Sequence, residues 1–236
     1  MGVLARATSE RGEVVLRGYD EPGHPPVLEL RVNGVFVMDT RETTTEIALA
    51  TRALSSVADP RRVLIGGLGL GFTAKAVLDD QRVEQADVGE IEPALVAWMR
   101  DGTAPHGPSL LADPRLKVIT ADIQDAVSEI SEPTYDLVLL DVDNGPGYLV
   151  YDDNAAVYAS PFLTAVYDAL RPGGVLAVWS AERSAELLVA VAARIGTPIH
   201  TFIAGTLTMP PPTPSIPDMF PAKNDARRPL SRFLTS

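Results

Sequence analysis

The chain has 236 residues, no cysteine and a formal net charge of −11 at pH 7. That length suits one mid-sized α/β domain with an appendage, and the missing cysteine excludes disulfides, thiolate catalysis and cysteine-based zinc sites. The acidic balance disfavours nucleic acid as a partner and suits solubility or a cationic small molecule.

His24, His106 and His200 are too scattered to suggest a metal cluster. The opening stretch Met1–Glu13 has no apolar core of signal-peptide length, and no apolar run approaches the ~18 residues of a membrane span. The expectation is a cytoplasmic protein with no metal, nucleic-acid or membrane partner.

Residues 12–39 read as extended. Glu13–Arg17 and Val27–Val32 alternate in part and carry β-branched side chains, with a turn-rich stretch at Asp20–Pro26 between them. Asn33-Gly34 is a hairpin signal and leads into Val35–Met38. A small antiparallel sheet of two to four strands is expected, followed by a helix from about Thr44 to Ser56.

From Arg62 the pattern changes to strands alternating with helices. Val63–Ile65, a strand flanked by Val88 and Ile91, Leu116–Ile119, Leu137–Leu140 and Val175–Trp179 are the expected strands. Thr73–Leu78, Pro93–Arg100, Ile123–Ile130, Phe162–Leu170 and Ala185–Ile195 are the expected helices, and Arg171–Gly174 ends the fourth of them. This alternation implies right-handed crossovers and a mostly parallel, doubly wound sheet. From Thr206 onward prolines cluster, and proline cannot donate to a ladder, so residues 206–236 are expected to form an irregular tail. The expected division is a β segment over 1–43, a Rossmann-like domain over 44–205, and the tail.

Gly66-Gly67-Leu68-Gly69-Leu70-Gly71 falls between a buried strand and a helix, where glycines let the backbone turn sharply against a ligand. Its spacing is Gly67-x-Gly69-x-Gly71; a dinucleotide fingerprint needs a third glycine where Phe72 stands. The loop therefore favours a nucleoside–sulfonium ligand over a nicotinamide dinucleotide. Glu90 ends the next strand, where a carboxylate can accept from both hydroxyls of a ribose. Ile91 is its neighbour, and Glu92 starts the following helix.

Asp122 follows the third strand, with Ile123 after it. It can accept from an adenine amino group, or cap the helix that begins there. Asp141 follows the fourth strand, at the edge where open α/β sheets bind ligands, and is placed either to take a proton from an attacking group or to brace the turn. Asp143, Asn144, Tyr148 and Tyr151 are candidates for the substrate side; the tyrosines, with Tyr158, are otherwise packing residues.

Together these motifs resemble the spermidine synthase family of polyamine aminopropyltransferases, in particular its shorter bacterial members. The resemblance runs from about Gly12 to Ser180. It rests on Leu30–Gly34, Val63–Gly71, Val88–Glu92, Ala121-Asp122, Tyr135–Asp141 and Leu170–Leu176. It implies a class I methyltransferase-type, Rossmann-like α/β fold with an N-terminal β domain, a homodimer, and aminopropyl transfer from decarboxylated S-adenosylmethionine to an amine. Gly67, Gly69, Gly71, Glu90, Ile91, Asp122 and Ile123 would hold the nucleoside, and Asp141 would be the base.

The chain departs from the family at three amine contacts. Gly69 stands in place of an aspartate, Val37 in place of a glutamine, and Asn144 in place of a second acid. Gly69 is expected to leave open, less negative space that a full S-adenosylmethionine would tolerate. Two other readings follow: a methyltransferase using that cofactor, and a nucleoside-binding pseudoenzyme.

Overall fold

The computed structural model describes residues 2–20, 23, 25–142, 149–180, 187 and 203–204. The N-terminal part is a four-stranded antiparallel meander of β1 (Gly2–Ser9), β2 (Gly12–Tyr19), β3 (Val27–Val32) and β4 (Val35–Asp39). The β3–β4 hairpin turns on Asn33 and Gly34, both at positive φ (51° and 77°), as a two-residue primed turn requires. Asn33 also braces the sheet, since its Oδ1 accepts from the Glu13 amide at 2.9 Å and its Nδ2 donates to the Arg11 carbonyl at 3.1 Å. Leu30 pairs with Met38 but Arg31 pairs with Phe36, so Val37 is the extra residue of a β-bulge. Strand β1 was not among the expected elements; its residues lie on an exposed edge and show no clean alternation.

The larger sheet has the order β10-β9-β8-β5-β6-β7 and is parallel throughout. Its strands are β5 (Arg62–Gly66), β6 (Gln85–Glu90), β7 (Leu116–Thr120), β8 (Tyr135–Leu140), β9 (Leu170–Trp179) and the two-residue β10 (Ile203–Ala204). Helices α1 (Thr44–Ser55), α2 (Phe72–Leu78), α3 (Pro93–Asp101), α4 (Gly107–Leu111), α5 (Ile123–Ser128) and α6 (Ser160–Ala169) connect and cover it. Strand order reverses between β5 and β8, and the crevice beyond that point is where such sheets take ligands.

Period-two alternation divides the core. Val63, Ile65, Val88, Leu137 and Leu139 face one cluster, which continues without a break into Leu16, Leu30 and Met38 of the small sheet. Leu64, Val138, Leu140, Leu176 and Val178 face the other, against Ile123, Phe162 and Leu163.

Strand β9 starts five residues earlier than the sequence pattern indicates. Leu170 leaves α6 and at once pairs with Tyr135, and the Arg171–Gly174 stretch is taken into the strand as an irregularity of register. Helix α4 and a 3₁₀ segment at Asp152–Tyr158 were also unexpected; each is too short to display a helical period. The expected tail over 206–236, and the expected helix Ala185–Ile195 apart from the helical Leu187, lie outside the described residues.

Candidate nucleoside and acceptor cleft

A cleft of about 1070 Å³, partly open to solvent, lies beyond the C-terminal ends of β5, β6 and β8 and is roofed by β3 and β4 of the small sheet. Gly67, Gly69, Glu90, Ile91, Asp122, Ile123, Asp141 and Tyr151 all line it. Asp143, Asn144 and Tyr148 lie outside the described residues. Gly71 does not line it. At φ 84° Gly71 is the N-cap of α2, and a Cβ there would stand 2.4 Å from Leu110 Cδ2. The third glycine of the loop therefore serves backbone geometry and helix packing rather than ligand contact.

Gly67 has φ 92°, and a Cβ on it would lie 2.2 Å from the Asp141 carbonyl oxygen. The Asp141 amide donates to the Gly66 carbonyl at 2.8 Å, so loop and catalytic candidate are held backbone to backbone. Gly69 lies beneath the small sheet. A Cβ on it would be 2.7 Å from Met38 Sδ, and that sulfur accepts from the Leu70 amide at 3.2 Å. The space expected at Gly69 is thus filled by a thioether, which corrects the expectation that the missing aspartate leaves room for a larger cofactor.

Glu90 is buried, and its two oxygens accept from the amides of Leu68 (2.9 Å) and Glu92 (2.8 Å). Burial raises its carboxyl, while those amide bonds work against the rise. Each oxygen keeps a lone pair, so the carboxylate is oriented and can still accept from a diol. Glu92, the N-cap of α3, is tied down by Arg11 Nε at 3.3 Å and by the Tyr151 hydroxyl at 2.9 Å. Arg11 also donates to the Ile91 carbonyl at 2.7 Å, pinning the β1–β2 turn to the loop after β6. Asp122 caps α5 through the Gln124 amide at 2.8 Å while lining the cleft, so its capping and ligand-facing roles coexist.

Asp141 Oδ2 accepts from the buried Thr73 hydroxyl at 2.6 Å. Its carboxyl is pushed up to about 6, chiefly by burial, against the Thr73 bond, with the charge of Glu46 adding to the rise. Thr73, Glu46, Met38, Trp179 and Asn154 line the cleft and were not read from the sequence as site residues. Thr73 sits in the first turn after the glycine loop, which is the signal that points to it. Glu46 and Met38 are brought in only by tertiary packing and have no local signal. Tyr158 belongs to the second core cluster.

Among the described residues the cleft is lined by five carboxylates, Glu46, Glu90, Glu92, Asp122 and Asp141, and by no lysine, arginine or histidine.

The spermine/spermidine synthase domain family matches residues 42–196. Polyamine aminopropyltransferase 2 of Pseudomonas aeruginosa is 33% identical over 140 residues, covering 58% of this chain and 38% of that protein. Putrescine N-methyltransferase 3 of Nicotiana tabacum is 32% identical over 125 residues, covering 52% of this chain and 31% of that protein. The spermidine synthase of Thermotoga maritima superposes with a TM-score of 0.63 at 21% identity, covering 80% of this chain and 60% of that one, a likeness of fold. The chain thus spans about a third of the length of these two curated relatives. With the family matched across most of the Rossmann-like domain and the motif-bearing strands β5, β6, β7 and β8 within the match, the chain belongs to the spermine/spermidine synthase family.

Proposed function

We propose that the chain is an aminopropyltransferase that uses decarboxylated S-adenosylmethionine and an amine acceptor. The observation that carries this reading is the charge of the cleft. Five carboxylates with no basic side chain among the described lining residues suit a sulfonium donor that lacks a carboxylate and an acceptor that arrives as an ammonium. Glu90 holds the ribose hydroxyls, Asp122 the adenine amino group, and Ile123 packs on the ring.

The donor supplies an alkyl carbon on a cationic sulfur; the amine lone pair forms the new C–N bond as the C–S bond breaks, leaving the neutral thioether methylthioadenosine. The protein's part is to position the partners and to take a proton. Asp141, with a carboxyl at about 6, is a carboxylate at neutral pH and accepts the proton that the attacking nitrogen must lose. The Thr73 hydroxyl fixes which oxygen faces the cleft.

Methyl transfer from S-adenosylmethionine is the second reading, favoured by the N-methyltransferase relative at nearly equal identity. It would bring the donor's carboxylate into an acidic cleft. The resemblance further implies a homodimer, which sedimentation would test, and the cytoplasmic location expected from the sequence would be tested by cell fractionation.

Calorimetric titration of the protein with decarboxylated S-adenosylmethionine, S-adenosylmethionine, methylthioadenosine and NAD, in parallel, decides between these readings. The decarboxylated donor is expected to bind at least tenfold tighter than S-adenosylmethionine, methylthioadenosine to bind, and NAD not to bind. Tight NAD binding without response to adenosyl ligands would sink the whole reading; a preference for S-adenosylmethionine would favour methyl transfer.

A further inference from the structure

The lining near Asp141 has an acidic part and an apolar part. The acidic part adds Glu46, in the first turn of α1, which packs against β8 and β9. It is half-buried, and its carboxyl accepts from the neighbouring Thr45 hydroxyl at 2.8 Å. Burial and the negative charges of Glu42 and Asp39 raise it, and its own charge bears on Asp141. Among the described residues no cation pairs with it, so two acids that feel one another's charge line one cleft. Such an arrangement is unfavourable until a cation joins it.

Another part of the lining is apolar. The β4 bulge lets consecutive residues Val37 and Met38 both face the cleft. Leu140 pairs with Val178, so the next step along β8 and β9 sets Trp179 beside Asp141. The Trp179 indole N–H is buried and has no acceptor among the described residues. It is a donor, and an ammonium carries only donors, so the two cannot satisfy one another.

We propose that the acceptor is a primary amine with an uncharged far end, held through its single nitrogen by Glu46 and Asp141, with its carbon body on Val37, Met38 and Trp179. This rests on the transferase reading above. A diamine lying along that part of the lining would set its second ammonium against a thioether, an isopropyl group and a donor N–H, losing its hydration without a partner among those described residues. A monoamine leaves water at its apolar end only, which the wall favours.

The test is calorimetric titration with 1-aminobutane and with putrescine, each with and without saturating methylthioadenosine, on wild type, Glu46→Gln and Val37→Gln. Wild type is expected to bind 1-aminobutane at least tenfold tighter than putrescine. Glu46→Gln should weaken 1-aminobutane at least tenfold and leave methylthioadenosine within twofold. Val37→Gln, which adds an acceptor to the apolar wall, should move the preference about tenfold towards putrescine. Tighter putrescine binding by wild type, undiminished amine binding by Glu46→Gln, an unmoved preference in Val37→Gln, or no amine binding while methylthioadenosine binds normally would each overturn the proposal. If methylthioadenosine does not bind, the nucleoside reading fails, and the titrations without nucleoside then uphold or overturn the amine site on their own ordering.

Discussion

Asp141 holds its carboxyl at about 6 because burial and Glu46 outweigh the Thr73 bond, and that one shift has two consequences of opposite kind. As a base it works only when ionised, so the transfer rate should fall as pH drops through about 6. As a folded-state group with a raised pKa it binds a proton more tightly than the unfolded chain does, so stability declines as pH rises from about 4 through about 6. Asp141→Asn keeps an acceptor for Thr73 and removes the charge. It should lose about 10²–10⁴-fold in turnover while binding methylthioadenosine as wild type does. It should also be more stable than wild type at pH 7.5 by about 1–3 kcal/mol, an advantage that fades as pH falls to about 4. Thermal melts across pH would check this; a variant that is destabilised at pH 7.5 would show that the carboxylate braces the turn. Glu90 behaves differently, because its carboxylate already satisfies the buried amides of Leu68 and Glu92. Glu90→Ala should therefore lose roughly 1.5–3 kcal/mol in nucleoside binding, about 10- to 150-fold, and also about 2 kcal/mol of stability from the orphaned amides. Calorimetry and denaturant titration of one preparation would separate the two losses; full affinity would misplace the pocket. The position of Glu90 was legible because it ends a strand. Its two amide bonds were not, because one comes from the loop after the neighbouring strand β5 and the other from the turn just past Glu90 itself, and both depend on how those loops fold back.

At the level of elements, the glycine loop is a joint between β5, β8 and α2 as well as a ligand cradle. Gly67→Ala would put a Cβ in a left-handed conformation and 2.2 Å from the Asp141 carbonyl oxygen, a backbone atom that cannot swing aside. It should destabilise by about 2–4 kcal/mol, and nucleoside binding should suffer with it. A melt indistinguishable from wild type would mean that the loop adopts another path. Buried strands such as Leu137–Leu140 were readable as apolar runs, and the Asn33-Gly34 hairpin as turn chemistry. The bulge at Val37 was not, since it shows only in the register between β3 and β4. That bulge is what turns both Val37 and Met38 to the cleft, so the filling of the space at Gly69 could not be foreseen from the loop itself. The early start of β9 was hidden for a related reason: Arg171–Gly174 reads as a stop, yet the Arg171 guanidinium donates to Asp136 Oδ1 at 3.1 Å and carries the stretch alongside β8.

For the whole molecule the acidic balance and the cleft act in the same direction. The net charge of −11 spreads a negative potential over the surface, and the cleft concentrates it where walls such as Val37, Met38 and Trp179 exclude water. Among the described residues, Glu92 alone of the five carboxylates there has a guanidinium beside it, from Arg11, so most of the field is free to act on a ligand. A cation should feel that field at long range and a neutral ligand should not. Methylthioadenosine, which is uncharged, and decarboxylated S-adenosylmethionine, which carries a sulfonium and an ammonium, share a nucleoside and differ in charge. Raising salt from about 20 to about 500 mM shortens the screening length from roughly 20 Å to roughly 4 Å. The decarboxylated donor should then lose about tenfold in affinity, mostly through a slower association rate, while methylthioadenosine changes less than twofold. Stopped-flow binding at several salt concentrations would measure both rates. An equal response from the two ligands would place the salt effect on the fold rather than on the ligand's charge, and the acidic lining would then have no part in drawing the donor in.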